Sequence, residues 1–127
     1  MNRQELKDFI NDLFKAWKDG DEEKVLTFYD EDVKAYSDFK QIALEDILNR
    51  FEFAKRKFLD LDHGVQDLFI DETEGKIAIR MKQNLVLRED PTQSVSCQVI
   101  SLYKVVNYKI KEIWMSFYPN VDYLNNE

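Results

Sequence analysis

The chain holds one cysteine, one histidine, three glycines and two prolines in 127 residues, and no long apolar run. Each shortage excludes something. A lone Cys97 cannot close an internal disulfide, and the opening Met1-Asn2-Arg3-Gln4-Glu5 lacks the apolar stretch of a secretory leader, so a cytoplasmic setting is expected. No segment approaches the roughly 20 apolar residues of a bilayer span, so no membrane partner is expected. So few Gly and Pro leave little material for flexible linkers, and one domain over 1–127 is expected. Positive charge is also scarce. Eighteen Lys and Arg against 25 Asp and Glu give a net charge of −7, which repels a polyanion and argues against nucleic-acid binding. The only basic run, Lys55-Arg56-Lys57, suits the solvated C-terminal end of a helix. Asp60, Asp62 and the single His63 are too few and too close for a coordination shell, so neither a metal nor another cofactor is expected.

What is present is apolar and patterned. Hydrophobic residues make up 44% of the chain, with nine Phe, six Tyr and two Trp, enough for a packed core. Leu6, Phe9, Ile10, Leu13, Phe14 and Trp17 recur at helical spacing over 4–19, and Gly20 suits a left-handed cap. Asp21 is placed to cap a short second helix that buries Val25, Leu26, Phe28 and Tyr29. A short strand follows at 33–37. The helical period then returns through Leu44, Ile47, Leu48, Phe51, Ala54 and Phe58, predicting a third helix from about Gln41 to Leu59. After that the period is two: strands at 65–71, from Ile77 to Leu87, from Ser94 to Val106 and from Lys109 to Tyr118. Helices followed by a meander of strands predict an α+β domain with helices on one face of a curved antiparallel sheet.

Phe14-Lys15-Ala16-Trp17-Lys18-Asp19-Gly20-Asp21, then Phe28-Tyr29-Asp30-Glu31-Asp32-Val33, resembles the opening of the nuclear transport factor 2-like (cystatin-like) superfamily. Tyr103 to Trp114 resembles the last hairpin of its SnoaL-like members. The resemblance spans nearly the whole chain. It implies a cone-shaped fold of three N-terminal helices on a curved sheet, an internal pocket, and often pairing of two subunits through the outer sheet face. The superfamily includes isomerases, cyclases, dehydratases and non-enzymatic binding modules, so fold alone leaves function open. Against the ketosteroid isomerase branch, Leu13 stands at the Tyr position, Ser37 at the general base with Asp38 beside it, and Ser101 at the carboxylic acid. Against the SnoaL-like cyclases, Tyr118 stands where an Asp is usual and Ile113 where a His is usual. Neither family apparatus is present in full.

The resemblance and the strand alternation together nominate a pocket lined by Leu13, Tyr36, Phe51, Met81, Gln83, Cys97, Val99, Ser101, Tyr103, Ile113, Met115 and Phe117. Gln83 and Ser101 interrupt apolar series and so need hydrogen bonds, to a ligand or to neighbours. His63 titrates nearest neutrality, and Asp38 is the nearest plausible carboxylate to orient it for proton transfer. A histidine flanked by Asp60 and Asp62 in a loop, without a role in chemistry, is the competing reading. Ile100, Leu102 and Trp114 fall on the other sheet face, with Arg80 and Lys82 among them, and predict a homodimer contact. Two functions stay open: a pocket protein for a small apolar molecule with proton-transfer chemistry, or a dimeric assembly module whose pocket its own side chains fill.

Overall fold

A computed structural model describes residues 1–119. Helix α1 spans Arg3–Asp19, held at its start by a capping box in which Asn2 and Glu5 exchange side-chain-to-backbone bonds. It buries Leu6, Phe9, Ile10, Leu13 and Ala16, and ends at Gly20 in the left-handed conformation. Asp21 caps α2 (Glu22–Thr27) by accepting from the Lys24 amide. This six-residue helix has only one buried position, Val25, and Leu26 turns out to solvent at 39% exposure, contrary to its helical-face expectation. Phe28 and Tyr29 are buried, but at the entry to strand β1 (Tyr29–Ser37) rather than on the helix.

Two elements were hidden in the sequence pattern. The predicted third helix is shorter, α3 at Leu44–Lys57, because strand β2 (Lys40–Ile42) precedes it and strand β3 (Phe58–Asp62) follows it. Asp38 and Phe39 both take positive φ, of 49° and 69°, and so form the two-residue turn that pairs β2 antiparallel with β1. Strands β4 (Val65–Asp71), β5 (Lys76–Leu87), β6 (Ser94–Val106) and β7 (Lys109–Tyr118) complete the chain. Asn107 and Tyr108 close the last hairpin, again with φ positive at both positions.

The strands form one curved, unclosed sheet in the order β2-β1-β7-β6-β5-β3, with β4 also paired to β5. It is mixed rather than wholly antiparallel, which corrects the expectation: β1 runs parallel to β7, with Ala35 opposite Ile113 and Ser37 opposite Met115. Local alternation cannot reveal such a pair, because no turn joins the two strands. The inner face of β5, β6 and β7 carries Ile77, Ile79, Met81, Leu85, Cys97, Val99, Ser101, Tyr103, Val105, Ile110 and Ile113, all buried. Alternate positions face outward, where Ile100, Leu102 and Trp114 are 61%, 40% and 41% exposed. The core lies between this inner face and the helix layer of α1 and α3.

Strands β3 and β4 pair with successive parts of β5, so 63–64 forms a corner opposite 82–83. Gly64 makes this corner possible. Its φ is +54°, its carbonyl accepts from the Lys82 amide at 3.0 Å, and a Cβ there would sit 2.2 Å from the Lys82 carbonyl oxygen. The corner turns His63 toward the helices, level with Gln83.

Candidate functional site

A cavity of about 110 Å³ lies between the helix layer and the sheet. Met81, Gln83 and Leu85 of β5, Val99 and Tyr103 of β6, and Ile113, Met115 and Phe117 of β7 form its floor. Their common parity on neighbouring strands explains why they share one surface: Met81 is opposite Val99, and Val99 opposite Phe117. The walls are helical and aromatic: Phe14 and Trp17 from α1, and Ile47, Arg50, Phe53 and Ala54 from α3, with Tyr29, Phe58, Leu61 and His63. The Arg50 guanidinium lies 5.6 Å from the Phe117 ring centroid, within cation–π reach.

His63 is stacked on Phe14, with ring centroids 4.3 Å apart and planes 15° from parallel. Burial holds its pKa down at about 4, against the opposing pull of Asp62, and Lys18 lowers it further. The imidazole is therefore neutral at pH 7. Burial also pushes the Tyr103 phenol up to about 12 and the Tyr29 phenol higher still, so both remain neutral. Gln83 lies in register with Cys97, whose Sγ donates to Gln83 Oε1 at 3.4 Å, and burial raises the Cys97 thiol pKa. Apart from the Arg50 guanidinium, which lies against the Phe117 ring, the site offers an apolar aromatic wall and a few neutral polar groups, which suits an uncharged ligand.

The other nominated residues are placed differently. Leu13, Phe51, Cys97 and Ser101 lie in the buried core around the cavity rather than on its lining. Tyr36 is a correction: it stacks on Trp114 on the outer sheet face, centroids 3.9 Å apart, because the parallel register sets the two opposite one another. Asp38 also lies off the cavity lining. Its carboxylate accepts from the Phe117 amide at 3.1 Å and its own amide donates to the Met115 carbonyl, so it continues the ladder onto β7. His63 belongs to the β3–β5 side of the sheet, with β6 and β7 between it and β1, and the structure does not bring Asp38 and His63 together. Among the described residues no cluster of His, Cys, Asp and Glu is fit to hold a metal ion.

The pocket side of α1 and α3 was missed in the sequence. Phe14 and Trp17 flank the stripe of α1 that meets the sheet, and Ile47, Arg50 and Ala54 recur at three and four on α3. The helical spacing was visible, but not which edge of each stripe overhangs the cavity.

The sequence matches no family model, and no curated protein matches it. Solved structures do resemble it. AclR from Streptomyces galilaeus, a candidate hydroxylase, is 21% identical over 91% of this chain and 80% of its own, with a TM-score of 0.81. A candidate SnoaL-like polyketide cyclase from Shewanella denitrificans is 14% identical, covering 98% of this chain and all of its own (100%), with a TM-score of 0.75. A protein with a ketosteroid isomerase-like fold from Catenulispora acidiphila, solved with trimethylamine, is 9% identical over 84% and 82%, at 0.67. These likenesses show the fold, which is the nuclear transport factor 2-like one of SnoaL-like proteins. Among the described residues no helix is long and apolar enough to cross a membrane.

Proposed function

We propose that this SnoaL-like chain binds a small apolar molecule about the size of a single ring, and that His63 is the group that handles any proton transferred there. The supporting observation is the cavity itself: aromatic walls around about 110 Å³, with one neutral imidazole on the lining. An apolar cavity of about 150 Å³ holds benzene, so about 110 Å³ sets one small ring as the upper limit and excludes a fused polycycle. Isomerase-like or cyclase-like chemistry would then use the imidazole alone as base, since Asp38 is committed to the backbone of β7. The test is thermal unfolding with rising toluene. Saturable stabilisation is expected, and it should vanish in Ala54→Phe, which fills the lining. No stabilisation of the wild-type protein would refute the binding reading.

The small volume favours a second reading, a non-catalytic module, because ligand sites for larger molecules span roughly 300–1,000 Å³. On either reading the outer face is proposed to pair two copies. Ile100, Leu102, Trp114 and Phe69 (68% exposed) form an apolar surface that a monomer would leave wet. Sedimentation should give twice the 15.2 kDa chain mass, and Ile100→Asp with Leu102→Lys should give the monomer. A monomeric wild-type protein would end that proposal.

A further inference from the structure

Three polar side chains cross the inner sheet face in one row: His63 at the β3–β4 corner, Gln83 on β5 and Cys97 on β6. Gln83 and Cys97 are directly opposite one another, and the thiol donates to the amide oxygen. A side-chain amide has an acceptor end and a donor end. With Oε1 turned to Cys97, the NH2 end is the one left for the cavity that Gln83 lines. Among the described residues no side chain or carbonyl accepts from Gln83 Nε2. The Tyr103 and Tyr29 hydroxyls can both donate and accept, and the neutral His63 ring has one nitrogen of each kind, so Gln83 is the lining group whose acceptor end is already engaged and whose donor end faces an occupant.

We infer that Gln83 selects the ligand: the cavity takes an uncharged single-ring molecule bearing an acceptor oxygen, which the Gln83 NH2 grips, and Cys97 is the positioning residue that sets the amide's orientation. This rests on the cavity being a binding site. It adds a chemical demand that an apolar cavity alone does not make. A site built to hydrogen-bond a ligand atom discriminates against the analogue that lacks it, because the site's own polar group is left unpaired.

The test compares two ring compounds of the same shape, cyclohexanone and methylenecyclohexane, by NMR titration. Their ratio of dissociation constants cancels the common apolar burial. Gln83→Met keeps the side-chain length and removes the amide, and it should reduce the ketone's relative affinity about tenfold, the worth of one hydrogen bond. Methylenecyclohexane should bind the variant within about twofold of wild type. Cys97→Ala keeps Gln83 but frees the amide to flip, and should reduce the ratio by about threefold without changing the melting temperature enough to explain it. An unchanged ratio in Gln83→Met overturns the inference while leaving the binding reading intact. An unchanged ratio in Cys97→Ala alone removes the thiol's part. If neither compound binds the wild-type protein, the binding reading and the inference fall together.

Discussion

Acidification from pH 7 to pH 4.5 should destabilise the protein by about 2 kcal/mol through His63 alone. In the unfolded chain a histidine titrates near 6.5, whereas the folded environment holds His63 at about 4. The folded state prefers the neutral ring, because the stack on Phe14 and the surrounding burial strip water from the charged form. The sign follows directly. Between pH 6.5 and about 4 the unfolded chain binds a proton that the folded chain does not, so stability falls as pH falls through that window. Above it neither state is protonated, and below it both are. The separation of about 2.5 between the two pKa values sets a ceiling of about 3.4 kcal/mol, most of it reached by pH 4.5. Carboxylates titrate in the same range, so a variant must isolate the histidine. His63→Phe keeps an aromatic ring on Phe14 and removes the titration. Urea unfolding of both proteins at pH 7 and pH 4.5 should show wild type losing about 2 kcal/mol more than the variant. Equal losses would mean that His63 is hydrated or charged in the folded state, and the neutral-imidazole account would be wrong.

Three further outcomes follow from particular atoms. Gly64→Ala places a methyl group 2.2 Å from the Lys82 carbonyl oxygen at φ +54°, and should cost about 2–4 kcal/mol in urea unfolding while weakening toluene binding; a loss under about 0.5 kcal/mol would show that the corner does not depend on glycine. Asp38→Ala removes the acceptor of the Phe117 amide and should lower stability by about 1–2 kcal/mol with toluene affinity kept; lost binding at unchanged stability would restore Asp38 to the site. Ser37 is buried, and its hydroxyl has no partner among the described residues, so Ser37→Ala should leave stability equal or raise it by about 1 kcal/mol in the same assay. A clear loss there would reveal a hydrogen bond that the structure does not contain.

Much of the fold was legible because its strands are long and half-buried. Over β5 and β6 the residue parity in the sequence is the parity of burial, from Ile77 through Val105, and β7 resumes it at Ile113, after a register shift opposite Lys104 and Val105 that leaves the buried Ile110 out of step. Helix α1 was legible for the same reason at a different period, with its C-terminal cap written in Gly20, while the Asn2–Glu5 capping box at its start was not read. What escaped is non-local. Lys40–Ile42 and Phe58–Asp62 are strands only because β1 and β5 supply partners, and on their own they continue the pattern of α3. Tyr36 was set on the wrong face because its orientation depends on a parallel register with β7 that no turn announces. Asp38 and His63 looked alike as polar residues beside strands. Asp38 is spent on a main-chain amide and His63 is folded inward by the Gly64 corner, a difference of backbone geometry rather than of residue type.

The most direct measurement is an amide-resolved NMR titration of the protein with cyclohexanone, reading backbone and side-chain N–H shifts together. The account predicts saturable shifts at the Gln83 side-chain amide and at cavity residues such as Met81, Val99 and Met115, with Ile100, Leu102 and Trp114 on the outer face unmoved. Shifts confined to the outer face, or none at any concentration, would contradict it.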